Sequence, residues 1–223
     1  DPQIRVLDQS RIGPILTGDR QDLGDGPRVT ALLIQNTNPM SVAPDLNRVH
    51  EGFAREDLFV CVHEQFMTET AQVADIVLPA TMFLEHDDLY QAGGHQHITL
   101  GPKIINPPEE CRSNHEVICA LAKRLDANHA GFDMSPRELI DRTLCDSGWG
   151  NLENLEEKRW IDCQPEFRDA HYLDGFAHAD GRFHFSPDWN ALMPHGFGPS
   201  NTVMPTLPDH WNVIEEANSE MPY

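Results

Sequence analysis

Three short polar segments follow apolar runs in the first half of the chain, and their residue types suit a nucleotide. The segments are 36–39 (NTNP), 63–68 (HEQFMT) and 79–81 (PAT). An Asn side chain offers both a donor and an acceptor, the Glu64 carboxylate can accept from a guanine or a ribose, and Thr can donate to phosphate. The chain has neither a GxGxxG pattern after its first apolar run nor a Walker A lysine motif, which disfavours an ordinary NAD or ATP site.

Local structure is the alternative interpretation of the first segment. Asn36 and Asn38 are typical turn formers ahead of Pro39. Spacing by itself does not decide between a turn and a ligand site.

The elements that must position these segments form an α/β pattern. The apolar runs 29–34, 58–62 and 75–78 predict strands of a parallel sheet that is buried on both faces, and 4–7 is a candidate fourth strand. Helical spacing between the runs gives the order strand, helix, strand, helix, strand, which is typical of a right-handed parallel α/β unit. Ligands of such sheets bind beyond the carboxyl ends of the strands. We therefore expect the three polar segments to lie along one edge.

Two sequence signals predict capped helices in the second half. Ser113 with Glu116, and Ser135 with Glu138, have the spacing of a capping box. A third helix is predicted over 151–160. The remainder is rich in Pro, Gly, His and aromatic residues, and we expect it to be mostly loop.

Composition excludes several classes of protein. The formal charge is −20, from 16 Lys and Arg against 36 Asp and Glu, so nucleic acid and anionic membranes are disfavoured as partners. No apolar run approaches the ~20 residues of a membrane helix, so membrane insertion is not expected. The five cysteines include no CxxC pair, which predicts reduced thiols and a cytoplasmic protein, with the periplasm left open.

A metal site is the weaker interpretation of the clustered histidines. His86, His95 and His97 lie close together in sequence, but no third ligand stands at a typical zinc spacing. We predict no metal ligands and no catalytic residues in this chain.

Several motifs occur in one order along the chain. LLIQNTNPMSVAPD is followed by LFVCVHEQFMTETAQVADIVLPATMFLEHDD and then by PPEECRSN at 107–114. This order resembles the molybdopterin oxidoreductases of the dimethyl sulfoxide reductase family, such as formate dehydrogenase and thiosulfate or polysulfide reductase. In that family an N-P or D-P turn precedes F-x-T-x-T, A-D-[IV]-[VI]-L-P, an E-x-x-[GD] turn and P-P-x-E-x-[RK]-x-[ND]. The match covers about 29–125, and the flanking residues match loosely.

The resemblance implies a parallel, Rossmann-like α/β domain of three layers (αβα) over 1–126. This domain would hold part of one molybdopterin guanine dinucleotide, and 127–223 would be a helical and extended connector toward a missing C-terminal domain. The implied cofactor contacts are Asn36, Thr37, Asn38, Pro39, His63, Glu64, Gln65, Thr68, Ala80 and Asn114. Two departures from the family pattern are notable. His63-Glu64 stands where Gln-Asp or Asp-Asp is common, and Ala80 replaces a common Ser, so that only its backbone could bind.

The chain is therefore interpreted as an internal fragment of an enzyme that does redox chemistry at molybdenum or tungsten. The implied partners are the remaining domains and an electron-transfer subunit, and any iron–sulfur cluster would belong to a missing N-terminal part. The fragment alone is predicted to be inactive. A stand-alone α/β module that binds a nucleotide or a protein is the alternative.

Overall fold

The chain forms two compact units. A computed structural model describes residues 5–192 together with 207, 217 and 219. The first unit comprises Asp1–Val77 and Phe183–Tyr223, and the second comprises Leu78–Arg182. The predicted boundary at 126 concerns the domains of a longer protein and remains a prediction.

The first unit is built on a parallel ladder. Its strands are β1 (Ala31–Gln35), β2 (Phe59–Glu64) and β3 (Ile76–Pro79), in the sheet order β1-β2-β3, and the division between the units falls within β3. Its helices are α1 (Ile12–Thr17), α2 (Arg20–Leu23), α3 (Pro39–Val42), α4 (Leu46–Phe53) and α5 (Glu69–Gln72), after a 3-10 turn at Gln9–Arg11. β1 and β2 pair in parallel, which confirms the predicted α/β class.

One face of this ladder is the core. Ile34, Val60 and Val62 are buried together with residues of α1, α4 and α5. α1 and α4 pack very closely, because a Cβ added at Gly52 would lie 2.5 Å from the Leu16 Cβ. Gly52 therefore sets the distance between the two helices that cover this face.

The opposite face of the ladder is exposed, and here the sequence-based prediction was wrong. Leu33, Phe59 and Ile76 are 43%, 47% and 45% exposed, although the apolar runs predicted burial on both faces. Burial alternates along the strands because the core cluster forms on one face of the ladder. Residues of α1, α4 and α5 pack there against Ile34 and Val60. The candidate fourth strand is also wrong over its described residues 5–7, which are not in a strand.

The second unit combines helices with a small antiparallel sheet. Its strands are β4 (Asp88–Gln91), β5 (His97–Gly101) and β6 (Trp160–Asp162), in the order β4-β5-β6. Its helices are α6 (Asn114–Arg124), α7 (Pro136–Asp146), α8 (Leu152–Lys158) and α9 (Phe167–Ala170), with a 3-10 turn at Ala130–Phe132, and α10 (Trp189–Leu192) follows in the C-terminal part of the first unit. Within the described part of the chain, no helix is long and apolar enough to cross a membrane.

Both predicted capping boxes form. The Ser113 hydroxyl accepts from the Glu116 N–H at 3.3 Å while the Ser113 N–H donates to the Glu116 carboxylate at 2.7 Å. Ser135 and Glu138 repeat this reciprocal arrangement at the start of α7. The third helix is shorter than predicted, because Arg159 adopts a left-handed conformation with φ of 73° and ends α8 before β6.

Candidate functional site

The strand ends of the first unit bring two of the predicted polar segments together. Gln35 and His63 are partners in the parallel register of β1 and β2. The residues that follow them, 36–39 and 64–68, therefore start side by side at one end of the ladder. This confirms the expected common edge for the first two segments.

Asn38 links the first segment to α5, which follows the second segment. Its side-chain oxygen accepts from the Thr70 hydroxyl at 2.7 Å and from the Thr70 N–H at 3.2 Å, and its amide nitrogen donates to the Glu69 carboxylate at 2.7 Å. The Thr70 hydroxyl in turn accepts from the Met40 N–H at 3.2 Å. Asn38 is thus a brace between the starts of α3 and α5, a role that the sequence did not indicate.

The brace also changes the acidity of Glu69. Its pKa is lowered, chiefly by the hydrogen bond from Asn38 and further by its own backbone N–H and by Ser41. The hydrogen bonds and the exposure of Glu69 to solvent both favour the charged carboxylate at this edge.

The first residues after each strand remain open to solvent. Asn36 has a φ of 57°, the left-handed conformation of a turn former, so the turn interpretation is correct for its backbone. Asn36, Thr37 and Gln65 are exposed, and the Gln65 N–H donates to the Glu64 carboxylate at 2.7 Å. These side chains are the polar groups that this edge presents outward.

His63, in contrast, is fully buried. Its Nδ1 lies 3.1 Å from the Gln35 amide nitrogen, which can only donate, so Nδ1 accepts and the ring proton lies on Nε2. His63 fixes the end of β2 against β1, and its side chain supports the edge from below the surface.

The Thr-x-Thr and Ala-Asp motifs have structural explanations. The Thr68 hydroxyl caps α5 by accepting from the Ala71 N–H at 3.2 Å, whereas Thr70 is the partner of Asn38. The Asp75 carboxylate accepts from the Val60 N–H at 2.7 Å, and the Asp75 N–H donates to the Val60 carbonyl at 2.9 Å. The two Thr residues hold the carboxyl edge in place, whereas Asp75 joins the start of β2 to the residue before β3, at the other end of the strands.

The remaining predicted contacts, Ala80 and Asn114, lie close to one another in the second unit. Ala80 forms a parallel bridge with Arg112, whose N–H donates to the Pro79 carbonyl and whose carbonyl accepts from the Thr81 N–H, both at 3.1 Å. Asn114 is the first residue of α6. The pairing of Arg112 with Ala80 therefore places the start of α6 next to the end of β3.

A turn rich in ionisable residues follows β3. The Glu85 carboxylate accepts from the Met82 N–H at 2.8 Å, and the Thr81 hydroxyl lies 2.7 Å from His86 Nδ1. Among the described residues, no group of three or more His, Cys, Asp or Glu side chains is arranged to hold a metal ion. His95 lies in the loop before β5 and His97 at its start.

Comparisons with known proteins agree on one family. The molybdopterin oxidoreductase family model matches residues 23–124. A probable oxidoreductase of Bacillus subtilis, YoaE, is 39% identical over 140 residues, which is 63% of this chain and 20% of that protein. A nitrate reductase of Symbiobacterium thermophilum is 36% identical over 214 residues, which is 90% of this chain and 27% of that protein.

A solved structure has the same fold. The acetylene hydratase of Pelobacter acetylenicus superposes with a TM-score of 0.61 and 20% identity, over 85% of this chain and 25% of that one.

The comparisons agree with the ordered motifs: residues 23–124 match the molybdopterin oxidoreductase family, and both relatives named above are oxidoreductases. The chain spans 20% and 27% of the lengths of these two relatives.

Proposed function

We propose that this chain forms part of the pocket for one molybdopterin guanine dinucleotide in a molybdenum- or tungsten-dependent oxidoreductase. The observation that carries the proposal is the register of β1 and β2, which aligns 36–39 with 64–68 at the carboxyl edge of a parallel sheet. This is the edge at which open α/β sheets bind their ligands. The bound cofactor would supply the redox chemistry.

The residues at this edge fit the guanosine end of the cofactor better than its phosphates. Segments 35–40 and 63–70 contain amides, hydroxyls and carboxylates but no Lys or Arg. Thr37 and Gln65 could pair with the polar edge of a guanine, and Glu64 keeps acceptor sites beyond the one that Gln65 uses. A pyrophosphate would need backbone donors or cations from elsewhere, given the charge of −20.

The other predicted contacts would act in different ways. Asn38, His63 and Thr68 have their side chains engaged within the protein, so we propose that they position the edge. Ala80 would contribute through its backbone, and Asn114 through the start of α6. Pro39 is buried as the first residue of α3 and would fix the direction of the chain there.

Further parts of a longer protein would complete the pocket. Parallel sheets are normally covered on both faces, yet Leu33, Phe59 and Ile76 are exposed. We propose that other segments of the enzyme cover this face and that other domains supply the metal ligand. An electron-transfer subunit and an iron–sulfur cluster outside this chain remain predictions, and the chain alone is expected to be inactive.

Cofactor retention in the full-length enzyme tests the proposal. Glu64→Ala removes the carboxylate at the carboxyl end of β2, whereas Glu56→Ala removes an exposed carboxylate that precedes the same strand. The amount of guanosine monophosphate released per polypeptide by acid hydrolysis should fall in the Glu64 variant and stay at the wild-type level in the Glu56 variant. Equal release from both variants would argue against Glu64 as a guanine contact, and no guanine in the wild type would overturn the proposal.

A further inference from the structure

A chain of polar groups connects a buried hydroxyl to the surface in the turn after β3. The Thr81 side chain lies 2.7 Å from His86 Nδ1, and His86 Nε2 lies 3.8 Å from the Asp88 carboxylate. Thr81 is 4% exposed, whereas the side chains of His86 and Asp88 are 23% and 53% exposed. Exposure thus rises steadily from the hydroxyl to the carboxylate.

The Asp88 carboxylate decides which ring nitrogen carries the proton. A negative charge beside Nε2 favours the tautomer with the proton on Nε2. Nδ1 is then an acceptor, so the Thr81 hydroxyl donates to it. At 3.8 Å the Nε2–Asp88 pair is an electrostatic contact, longer than a direct hydrogen bond.

The other acidic residues of the turn have structural partners. Glu85 accepts from the Met82 N–H, and Asp87 accepts from the Lys103 N–H and pairs with Arg137. These bonds explain Glu85 and Asp87 as parts of the fold. Among the ionisable residues of this turn, His86 is the one that contacts both the Thr81 hydroxyl and the exposed Asp88 carboxylate.

We propose that His86 is a proton relay between the Thr81 hydroxyl at the end of β3 and the exposed Asp88 carboxylate. In the outward direction, the Thr81 O–H bond breaks as Nδ1–H forms, and the Thr81 oxygen takes a proton from a hydronium ion or an acidic group on its other side, which is left as water or as the conjugate base. The Nε2–H bond then breaks and its proton passes to Asp88 or water. No electrons are transferred, and the inward direction reverses each step.

The use of this relay rests on the proposed function. Ala80, a proposed cofactor contact, directly precedes Thr81, so a proton carried along this path would be exchanged beside the cofactor. Redox reactions that take up or release protons need such a path from solvent into a site that excludes water. The existence of the relay itself does not require the cofactor.

Hydroxyl exchange with solvent measures the relay in the chain without cofactor. Threonine hydroxyl exchange can be followed by NMR through the hydrogen–deuterium isotope shift on the Cβ carbon. Thr70 is the internal reference, because its hydroxyl is buried (0% exposed) and donates at the same distance of 2.7 Å to Asn38, whose amide does not titrate. Thr81 should exchange faster than Thr70 by about tenfold or more, because an imidazole acts as a general base.

His86→Asn separates the relay from a merely structural hydrogen bond. Asn places an amide oxygen near the Nδ1 position, so it can keep the bond to Thr81 but cannot carry a proton. The relay predicts that Thr81 exchange slows toward the rate of Thr70, and that Asp88→Asn slows it less. A turn that simply loosens in the variant would instead speed up exchange.

Two results would overturn the relay. One is wild-type Thr81 exchange as slow as that of Thr70, and the other is a rate that His86→Asn does not lower. Failure of the cofactor proposal would appear separately, as absent guanine in the full-length enzyme, and would leave these rates unchanged.

Discussion

Replacing Asn38 by Ala should destabilise the first unit markedly, because the brace is anchored on a buried partner. The Asn38 oxygen accepts two hydrogen bonds from Thr70, at 2.7 Å and 3.2 Å, and Thr70 is 0% exposed. Each neutral bond contributes about 1 kcal/mol, and a buried N–H left without an acceptor adds about 1–3 kcal/mol. We therefore expect a loss of about 3–5 kcal/mol, and we assign no free energy to the exposed bond between Asn38 and Glu69.

Amide hydrogen exchange of the β1–β2 ladder is the suitable assay, because residues 1–77 contain no Trp or Tyr for fluorescence. Asn47→Ala, at an exposed position of α4, is the matched control and should change the opening free energy by no more than about 0.5 kcal/mol. Thr70→Val combined with Asn38→Ala should show a coupling of about 1 kcal/mol. An Asn38 variant as stable as the control, or strictly additive effects, would refute the brace.

Three further predictions concern caps and charges. Ser113→Ala should destabilise the protein by about 1 kcal/mol through loss of the capping box, and an unchanged urea midpoint would contradict this. The hydrogen bond from Asn38 lowers the pKa of Glu69 below 4.5, so ionised Glu69 stabilises the folded protein above pH 4.5, and this stabilisation is lost as the pH falls through the lowered pKa. Glu69→Gln should therefore flatten the acidic part of a stability–pH curve. Asp22→Asn should cost about 2–3 kcal/mol in urea unfolding, because it leaves Arg11 without the carboxylate that accepts two bonds at 2.9 Å.

The Glu69 prediction and the Asp22 prediction each have a control variant. Glu51→Gln, at an exposed position of α4, should leave the stability–pH curve unchanged. Asp146→Asn breaks an exposed pair with Arg142, in which both side chains are at least 60% exposed, and should leave the urea midpoint unchanged.

The local elements followed from sequence because their signals are short-range. The Ser113 and Ser135 boxes depend on residues three positions apart, and each strand of the parallel ladder is an apolar run. The strand ends could be paired in advance because the carboxyl ends of parallel strands share an edge.

The rest depends on contacts between residues that are distant in sequence. β6 pairs with β5, and His97 is the partner of Asp162 in that register. Because the two strands are far apart in sequence, no local pattern in either of them predicts this sheet. Asn38 could be a ligand, a turn former or a brace, and only its contact with Thr70 selects the last. The exposed face of the ladder was mispredicted because an apolar run does not show which of its faces the helices will cover, and the core cluster forms on one face of the ladder.

We propose that this chain supplies one incomplete wall of a guanine dinucleotide pocket. Titration of the ¹⁵N-labelled chain with guanosine diphosphate, followed by amide chemical shifts, tests it directly. Half a pocket still bears the entropy cost of holding the ligand, so we expect a Kd of about 1 mM or weaker, with shift changes concentrated at 36–38 and 64–68. Micromolar affinity would instead indicate a self-sufficient nucleotide-binding module, and shift changes confined to residues away from this edge would contradict the assignment of the wall.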